Sequence, residues 1–161
     1  MLVSDGQLGH EPEDAEAPRI LDLYAGSGAL ALEALSRGAS GAVLVEHARD
    51  AIAAIRENTR ALGAEEFVQV LPMKVDRALL KIEGTFGVVF LDPPYADVRA
   101  RGFAEIMAGA ARLLAPDGVV VLEHASSDDP PAVPGLDVDR SRRHGDTTLT
   151  FYRAQNPASR G

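Results

Sequence analysis

The chain has 161 residues, no cysteine, and 24 acidic against 16 basic side chains, which gives a formal net charge of −8. Its length suits one α/β domain with a hydrophobic core, and the lack of cysteine excludes disulfides, thiolate metal sites and a cysteine nucleophile. No apolar run approaches the ~20 residues of a membrane span, and the acidic start does not fit a signal peptide. We therefore expect a cytoplasmic monomer that binds no metal.

The first chemical signal along the chain is a glycine turn between a strand and a helix. An apolar strand is predicted over 19–24, a turn of small residues over 25–29, and a helix from there to a stop at Gly38. Gly26 and Gly28 let the backbone approach a ligand without an intervening Cβ, and the helix N-terminus offers N–H groups to a polar or anionic group. The pattern is typical of the first unit of a nucleotide-binding α/β fold.

A second strand, predicted over 42–45, ends at Glu46. An acid at this strand tip can accept both hydroxyl protons of a ribose. However, Gly26, Gly28 and Ala31 also satisfy the dinucleotide pattern G-x-G-x-x-[G/A], so that an NAD-binding dehydrogenase fits this part of the chain equally well.

Four residues near the middle of the chain argue against the dehydrogenase. They are Asp92, Pro93, Pro94 and Tyr95. They follow the apolar run 88–91, which predicts a buried parallel strand, and ligands bind at the carboxyl ends of such strands. The prolines remove two N–H donors, so the carboxylate and the free carbonyls form a pocket of acceptors that suits an amine. Tyr95 adds a face for stacking a planar ring. The loop therefore indicates work on the exocyclic amine of a nucleobase, although a plain turn with a packed aromatic is the structural alternative.

The rest of the chain alternates between helices and strands. Helices are predicted over 49–62, 78–80 and 100–114, strands over 67–70 and 119–122, and a closing hairpin over 136–141 and 147–153. This alternation predicts a mostly parallel sheet with helices on both faces, to which the hairpin adds one antiparallel strand. We expect residues 1–17 to form a disordered acidic segment, 18–153 the folded domain and 154–161 a disordered tail.

Three segments, 22–39, 45–46 and 91–95, closely resemble the class I S-adenosylmethionine-dependent methyltransferases. Within that class the chain is most similar to the bacterial 16S ribosomal RNA guanine-N2 methyltransferases, and the segment 143–152 resembles their closing hairpin. The likeness runs from about Arg19 to Arg153. It implies a Rossmann-like α/β fold whose mostly parallel seven-stranded sheet contains one antiparallel strand.

The resemblance also implies the ligands and the site. S-adenosyl-L-methionine is the expected cofactor, and 16S rRNA or the small ribosomal subunit is the expected partner. The implied catalytic residues are Asp92, Pro93, Pro94 and Tyr95. The implied cofactor-binding residues are Asp22, Tyr24, Ala25, Gly26, Ser27, Gly28, Glu46, His47, Asp76 and Asp92. Asp76 is the candidate for the adenine amino group, and a helix cap is its structural alternative.

One feature departs from that family. Its members usually begin with a further segment rich in Arg, Lys and Thr, whereas residues 1–50 here hold nine acidic and three basic side chains. A local basic cluster, Arg140, Arg142, Arg143 and His144, lies in the hairpin, where a solvated turn is the simpler interpretation. Because phosphate contacts supply most RNA affinity, we expect this chain to bind RNA weakly.

The acceptor pocket predicts a mechanism as well. Asp92 and the Pro93 carbonyl can accept the two N–H bonds of a guanine N2 amine and favour a pyramidal nitrogen, whose developing positive charge the carboxylate stabilises. Four other functions remain open: a DNA adenine-N6 methyltransferase, a small-molecule N-methyltransferase, an NAD-dependent dehydrogenase and a non-catalytic cofactor-binding module.

Overall fold

The computed structural model describes residues 17–155. The strands in this range are β1 (Arg19–Asp22), β2 (Gly41–Glu46), β3 (Val68–Pro72), β4 (Phe86–Leu91), β5 (Leu114–Ala125), β6 (Leu136–His144) and β7 (Thr147–Ala154). The helices are α1 (Ala29–Ser36), α2 (Arg49–Ala61), α3 (Val75–Ala78), α4 (Tyr95–Arg99) and α5 (Phe103–Arg112). The predictions for residues 1–16 and 156–161 lie outside the described residues.

The predicted α/β class and sheet are confirmed. The described strands form one seven-stranded sheet in the order β3-β2-β1-β4-β5-β7-β6. β1 pairs with β2, β2 with β3 and β4 with β5 in parallel, while β7 runs antiparallel to both β5 and β6. Parallel neighbours need crossover connections, which the helices between the strands supply.

The chain divides into two compact units, Met1–Lys81 and Ile82–Gly161. In the first unit β1 is buried from Ile20 to Asp22, and β2 buries its apolar residues 42–45, as expected for strands of a parallel sheet covered on both faces. The amphipathic α2 buries Ile55 and Thr59. The Thr59 hydroxyl donates to the Ile55 carbonyl at 2.6 Å, so its burial leaves no unmet hydrogen bond.

In the second unit β4 is buried along its length, and α5 buries Phe103 and Met107. β5 is longer than predicted, because it begins at Leu114 rather than at residue 119. The added part of the strand contains a register irregularity, in which Phe86 pairs with Leu114 and Val88 with Val119. Apolar periodicity alone does not show that pairing with β4 extends past such an irregularity.

The predicted helix over 100–114 is wrong at its start. The chain forms two helices there, α4 directly after Pro94 and then α5. Pro94 has ψ 142°, an extended conformation from which α4 begins at the next residue. Ala100 is extended again with ψ 151°, which ends α4, and Gly102, with φ 101°, precedes α5. The short helix predicted over 78–80 lies earlier, at Val75–Ala78.

Other strand ends also differ from prediction, including those of β1 and β7. β1 stops at Asp22, because the chain already turns at residues 23 and 24 ahead of the glycines. β7 runs to Ala154, and the Gln155 N–H donates to the Gly135 carbonyl at 2.9 Å. Within residues 17–155 no helix is long and apolar enough to cross a membrane.

Candidate functional site

The glycine turn lies at the carboxyl ends of β1 and β2, within the first unit. The Ala25 N–H donates to the Val45 carbonyl at 3.0 Å, and the Gly28 N–H donates to the Ala25 carbonyl at 2.9 Å. Gly26 and Gly28 have φ values of 58° and 83°, a left-handed conformation that side-chain-bearing residues rarely adopt. The turn is therefore tight, and it is fastened to the end of β2.

The two glycines of this turn meet different surroundings. A Cβ on Gly26 would find no atom within 4 Å, so the backbone here faces open space. A Cβ on Gly28 would lie 3.0 Å from Leu44 Cδ2 and 3.3 Å from Ile55 Cγ1. Gly26 thus leaves room for a ligand, whereas Gly28 allows the start of α1 to pack closely against the core.

Glu46 connects this turn to the end of β2. Its Oε1 accepts the Gly26 N–H at 2.9 Å. Its Oε2 accepts the N–H groups of His47 at 3.0 Å and Ala48 at 2.9 Å. A carboxylate has about four acceptor positions, so these three bonds leave capacity for a further donor, chiefly at Oε1. Glu46 can therefore accept a ligand hydroxyl while it holds the turn in shape.

The other predicted cofactor residues of this unit lie near the same strand ends. Asp22 is buried at the end of β1, Tyr24 is half-buried, and Ser27 and His47 are exposed. The Ser27 carbonyl accepts the Asn58 side-chain amide at 3.2 Å, which ties the turn to α2. The chain thus brings these residues together where β1 and β2 end.

Asp76 lies a few residues beyond β3, in the first turn of α3. The N-cap of this helix is Lys74, so the helix-cap alternative does not hold for Asp76. Its Oδ1 accepts the Arg77 N–H at 2.9 Å, and the residue is exposed. The side chain therefore remains accessible to a ligand.

The loop after β4, in the second unit, combines an exposed carboxylate with a backbone that two prolines stiffen. Asp92 and Pro94 are exposed, and Pro93 is buried. Tyr95 is the first residue of α4 and not part of the loop, and it is 38% exposed. Its hydroxyl forms a 2.6 Å hydrogen bond with the Thr147 hydroxyl of β7. This bond holds the tyrosine side chain against the hairpin.

Sequence reasoning missed Glu123, which lies beside Asp92. Leu91 of β4 pairs with Leu122 of β5, so the two acids that follow are neighbours, with Asp92 just beyond β4 and Glu123 within β5. Hydrogen bonding with Asp92, burial and the Asp92 charge raise the pKa of Glu123 from 4.5 to about 7. The Glu123 carboxyl therefore keeps its proton to a higher pH than an ordinary glutamate does. An acid directly after each of two adjacent apolar strands was the signal available in the sequence.

The neighbouring His124 is fully buried and was also not predicted. One ring nitrogen, Nδ1, lies 2.9 Å from the Ala125 carbonyl and must donate to it, while Nε2 lies 2.7 Å from the Thr150 hydroxyl. The bond to Thr150 fastens β5 to β7, so His124 supports the strands on which Glu123 and Thr147 lie. Among residues 17–155 no group of three or more His, Asp or Glu side chains is placed to hold a metal ion.

A cavity of about 320 Å³ in the first unit is lined by none of the predicted site residues. It is open to solvent and is formed by side chains of α2, β3 and the segment between them. These are Arg56, Thr59, Arg60, Glu65, Val68 and Val70. Ligands of parallel sheets bind at the carboxyl ends of the strands, so the strand ends are the better candidate for the site.

Comparison with known proteins identifies related sequences and structures. The family model described as Conserved hypothetical protein 95 matches residues 8–153. The "Putative rRNA methyltransferase YlbH" of Bacillus subtilis is 34% identical over 139 residues, which cover 84% of this chain and 75% of that protein. The "Ribosomal RNA small subunit methyltransferase D" of Escherichia coli K12 is 30% identical over 139 residues, which cover 84% and 68%. The solved structure "Putative methyltransferase yhhF from Escherichia coli" has a TM-score of 0.76 and 26% identity, and covers 90% of each chain.

Proposed function

Because this chain belongs to the family described as Conserved hypothetical protein 95 and is a class I methyltransferase, we propose that it methylates the exocyclic N2 amine of a guanine in 16S ribosomal RNA. The methyl donor in this proposal is S-adenosyl-L-methionine. The ribosomal substrate is suggested by the names of the relatives, and the choice of an amine rests on the loop after β4. Such a substrate would place the protein in the cytoplasm, and we expect it to act as a monomer.

The chemistry of residues 92–94 after β4, which we call the acceptor loop, is the observation that carries this proposal. Asp92 is exposed directly beyond a buried strand, and neither Pro93 nor Pro94 has a backbone N–H. The loop therefore presents oxygen acceptors with no backbone donor at either proline, and a ligand that carries two N–H donors complements it. An exocyclic amine of a nucleobase has this donor pattern.

The first unit offers features that fit the methyl donor. The open space at Gly26 allows the backbone to lie against a ligand, and Glu46 retains acceptor capacity for a ribose hydroxyl. Asp76 is exposed with one oxygen bonded to the Arg77 N–H, which leaves the other for an adenine amino group. S-adenosyl-L-methionine supplies a methyl group bound to positively charged sulfur.

The residues of the acceptor loop would prepare the amine for attack. A guanine N2 lone pair is delocalised into the ring, which makes the planar amine a weak nucleophile. Two N–H bonds directed at the Asp92 carboxylate and the Pro93 carbonyl favour a pyramidal nitrogen, and they orient its lone pair outward. Positive charge then builds on this nitrogen, and the nearby carboxylate stabilises it more in the transition state than in the ground state.

Tyr95 and Glu123 would support this arrangement from either side. The tyrosine ring provides a partly exposed face on which a splayed-out base can stack, and Thr147 fixes its hydroxyl. Glu123, when protonated, would donate a hydrogen bond to Asp92 and so orient that carboxylate. Once methylated, the amine loses a proton readily, so Asp92 need not act as a strong base.

The product nucleoside tests this proposal. The protein is incubated with isotopically labelled S-adenosyl-L-methionine and either deproteinised 16S rRNA or isolated small subunits. The RNA is then digested to nucleosides, and these are separated. We expect label in N2-methylguanosine. Label in N6-methyladenosine, or transfer to small amines but to neither RNA substrate, would contradict it.

A further inference from the structure

The two faces of β7 differ in burial, whereas β6 is exposed on both faces beyond Leu136. Successive residues of a strand point to opposite faces, and paired residues on neighbouring strands share a face. Along β7 buried residues alternate with half-buried ones: Thr148, Thr150 and Tyr152 are buried, and Thr147, Leu149 and Phe151 are half-buried. The face that carries Leu149 is therefore accessible, and we call it the open face.

The open face is continuous with the acceptor loop through the strand register. Leu149 pairs with Glu123 of β5 on one side and with Arg142 of β6 on the other. Asp92 lies beside Glu123 at the end of β4. One row across four strands therefore runs from Asp92 through Glu123 and Leu149 to Arg142. At about 4.8 Å between strands, the row spans about 14 Å, a distance that a few nucleotides of a single strand can cover.

Basic side chains of β6 border this row. Arg140, Arg142 and His144 share the open face, because their partners on β7 are Phe151, Leu149 and Thr147. The acids of β6, Asp137 and Asp139, lie at the far end of the strand. Charge along β6 thus changes from acidic to basic toward the acceptor loop, which suits an anionic chain that reaches this loop.

The positive groups of the open face are available to a ligand. The Arg140 guanidinium lies 4.4 Å from the centroid of the Phe151 ring, which supports it against the sheet. Within residues 17–155 the side chains of Arg142 and His144 have neither a hydrogen bond nor an ion pair. Arg143, which pairs with Thr148, lies on the opposite face and donates to the Gly145 carbonyl at 3.0 Å.

We propose that the open face of the β6–β7 hairpin binds the phosphates of the nucleotides that flank the target base. Single-stranded RNA would run from the acceptor loop across Leu149 to Arg142, with Arg140 and His144 on either side. This inference rests on the proposed function, since it assigns the surface that brings the RNA to the acceptor loop. It replaces the simpler interpretation of these residues as a solvated turn.

The chemistry of the face favours single-stranded RNA. Arginine on an aromatic ring and half-buried apolar side chains form a surface on which bases stack, and free guanidinium groups bind phosphate. A flat sheet face of this kind suits splayed-out bases, whereas the bases of an RNA duplex are enclosed in its grooves.

The test compares arginines of equal charge on opposite faces of one strand. Binding of a fluorescent single-stranded 16S rRNA fragment is measured by anisotropy across a salt series, together with KM and kcat for methyl transfer to small subunits. For Arg142→Ala we expect Kd and KM to rise about tenfold, and the slope of log K against log salt to fall in magnitude by about 0.7. Arg143→Ala removes the same charge from the other face. It should leave Kd, KM and the salt slope near the parent values. Thermal melting of each variant separates loss of binding from loss of fold.

The possible outcomes separate this inference from the proposed function. Equal effects of Arg142→Ala and Arg143→Ala, or no effect of Arg142→Ala on Kd and salt slope, would overturn the docking surface, even if the parent methylates RNA normally. A parent that binds RNA through Arg142 but transfers no methyl group to it would overturn the proposed reaction and leave the surface intact. A parent that neither binds nor methylates RNA would overturn both.

Discussion

Glu123 of β5 lies beside Asp92, the residue just beyond β4, where hydrogen bonding with Asp92, burial and the Asp92 charge raise the pKa of Glu123 from 4.5 to about 7. The folded protein holds this proton more tightly than the unfolded chain does. The stabilisation of the folded protein by protonated Glu123 is therefore fully present below a pH of about 4.5. It is lost as the pH rises through about 7. Above that pH, two carboxylates of like charge lie side by side.

We predict that Glu123→Gln removes this pH dependence. A glutamine amide can donate to Asp92 at every pH, so the variant should melt at a higher temperature than the parent at pH 8 and at a similar temperature at pH 4. Thermal melting from pH 4 to pH 8 measures the difference. Glu105→Gln, which changes an exposed glutamate on α5, is the control for net charge. Parent and Glu123→Gln curves that stay parallel over the whole range would contradict the raised pKa of Glu123.

The two glycines of the turn should respond differently to alanine. Gly28→Ala places a methyl group against Leu44 and Ile55 at a positive φ, so we expect it to lower the free energy of unfolding by about 2 kcal/mol or more. Gly26→Ala meets open space, so the free energy of unfolding should fall only by the cost of the left-handed backbone conformation, about 1–2 kcal/mol. The added methyl group should nevertheless weaken cofactor binding. Denaturant unfolding and calorimetry with S-adenosyl-L-methionine measure the two effects. Unchanged cofactor affinity in Gly26→Ala would show that the open space is not the ligand site.

Glu46→Ala tests the acid at the end of β2. It removes the acceptor for the N–H groups of Gly26, His47 and Ala48, so the turn should loosen and cofactor affinity should fall by about 1–3 kcal/mol. Calorimetry measures the affinity. The control is Glu33→Ala in the same unit, where an exposed ion pair with Arg37 is lost and little change is expected. Unchanged affinity in Glu46→Ala would remove this residue from the site.

Two substitutions at Tyr95 distinguish the role of its ring from the role of its hydroxyl. Tyr95→Ala removes the stacking face and should lower kcat/KM for RNA by about 1–3 kcal/mol. Tyr95→Phe keeps the ring and loses only the bond to Thr147, so its loss should be smaller. Steady-state kinetics on small subunits measures both variants. Equal losses in the two variants would mean that the hydroxyl, and not the ring, accounts for the effect.

Much of this fold could be predicted because the relevant signals are local. The glycine turn, Glu46 at the end of β2 and the acid beyond β4 each follow an apolar run, and in parallel sheets the ligand-binding residues follow such runs directly. Sequence spacing also predicted the closing hairpin and its single antiparallel strand, which the register confirms.

The remaining features depend on register between strands distant in sequence. Glu123 meets Asp92 because Leu91 pairs with Leu122, and Tyr95 meets Thr147 across 52 positions. The acid after each apolar run is visible in the sequence, but only the register shows that the two acids meet, and no local pattern contains the contact between Tyr95 and Thr147. The packing of Gly28 against Ile55 is likewise a tertiary contact. Sequence analysis therefore predicted a ligand-binding role for both glycines.

The central claim is that the Asp92 carboxylate activates the amine, and single-turnover methyl transfer by Asp92→Ala tests it most directly. The substitution is at an exposed loop position, so the variant should fold, and calorimetry should still detect cofactor binding. Transfer to small subunits should be at least ~100-fold slower, as expected from the loss of one preorganised electrostatic partner. Glu123→Gln, assayed alongside, shows how much of the loss arises from the partner carboxyl. A rate for Asp92→Ala within a few-fold of the parent would contradict the account.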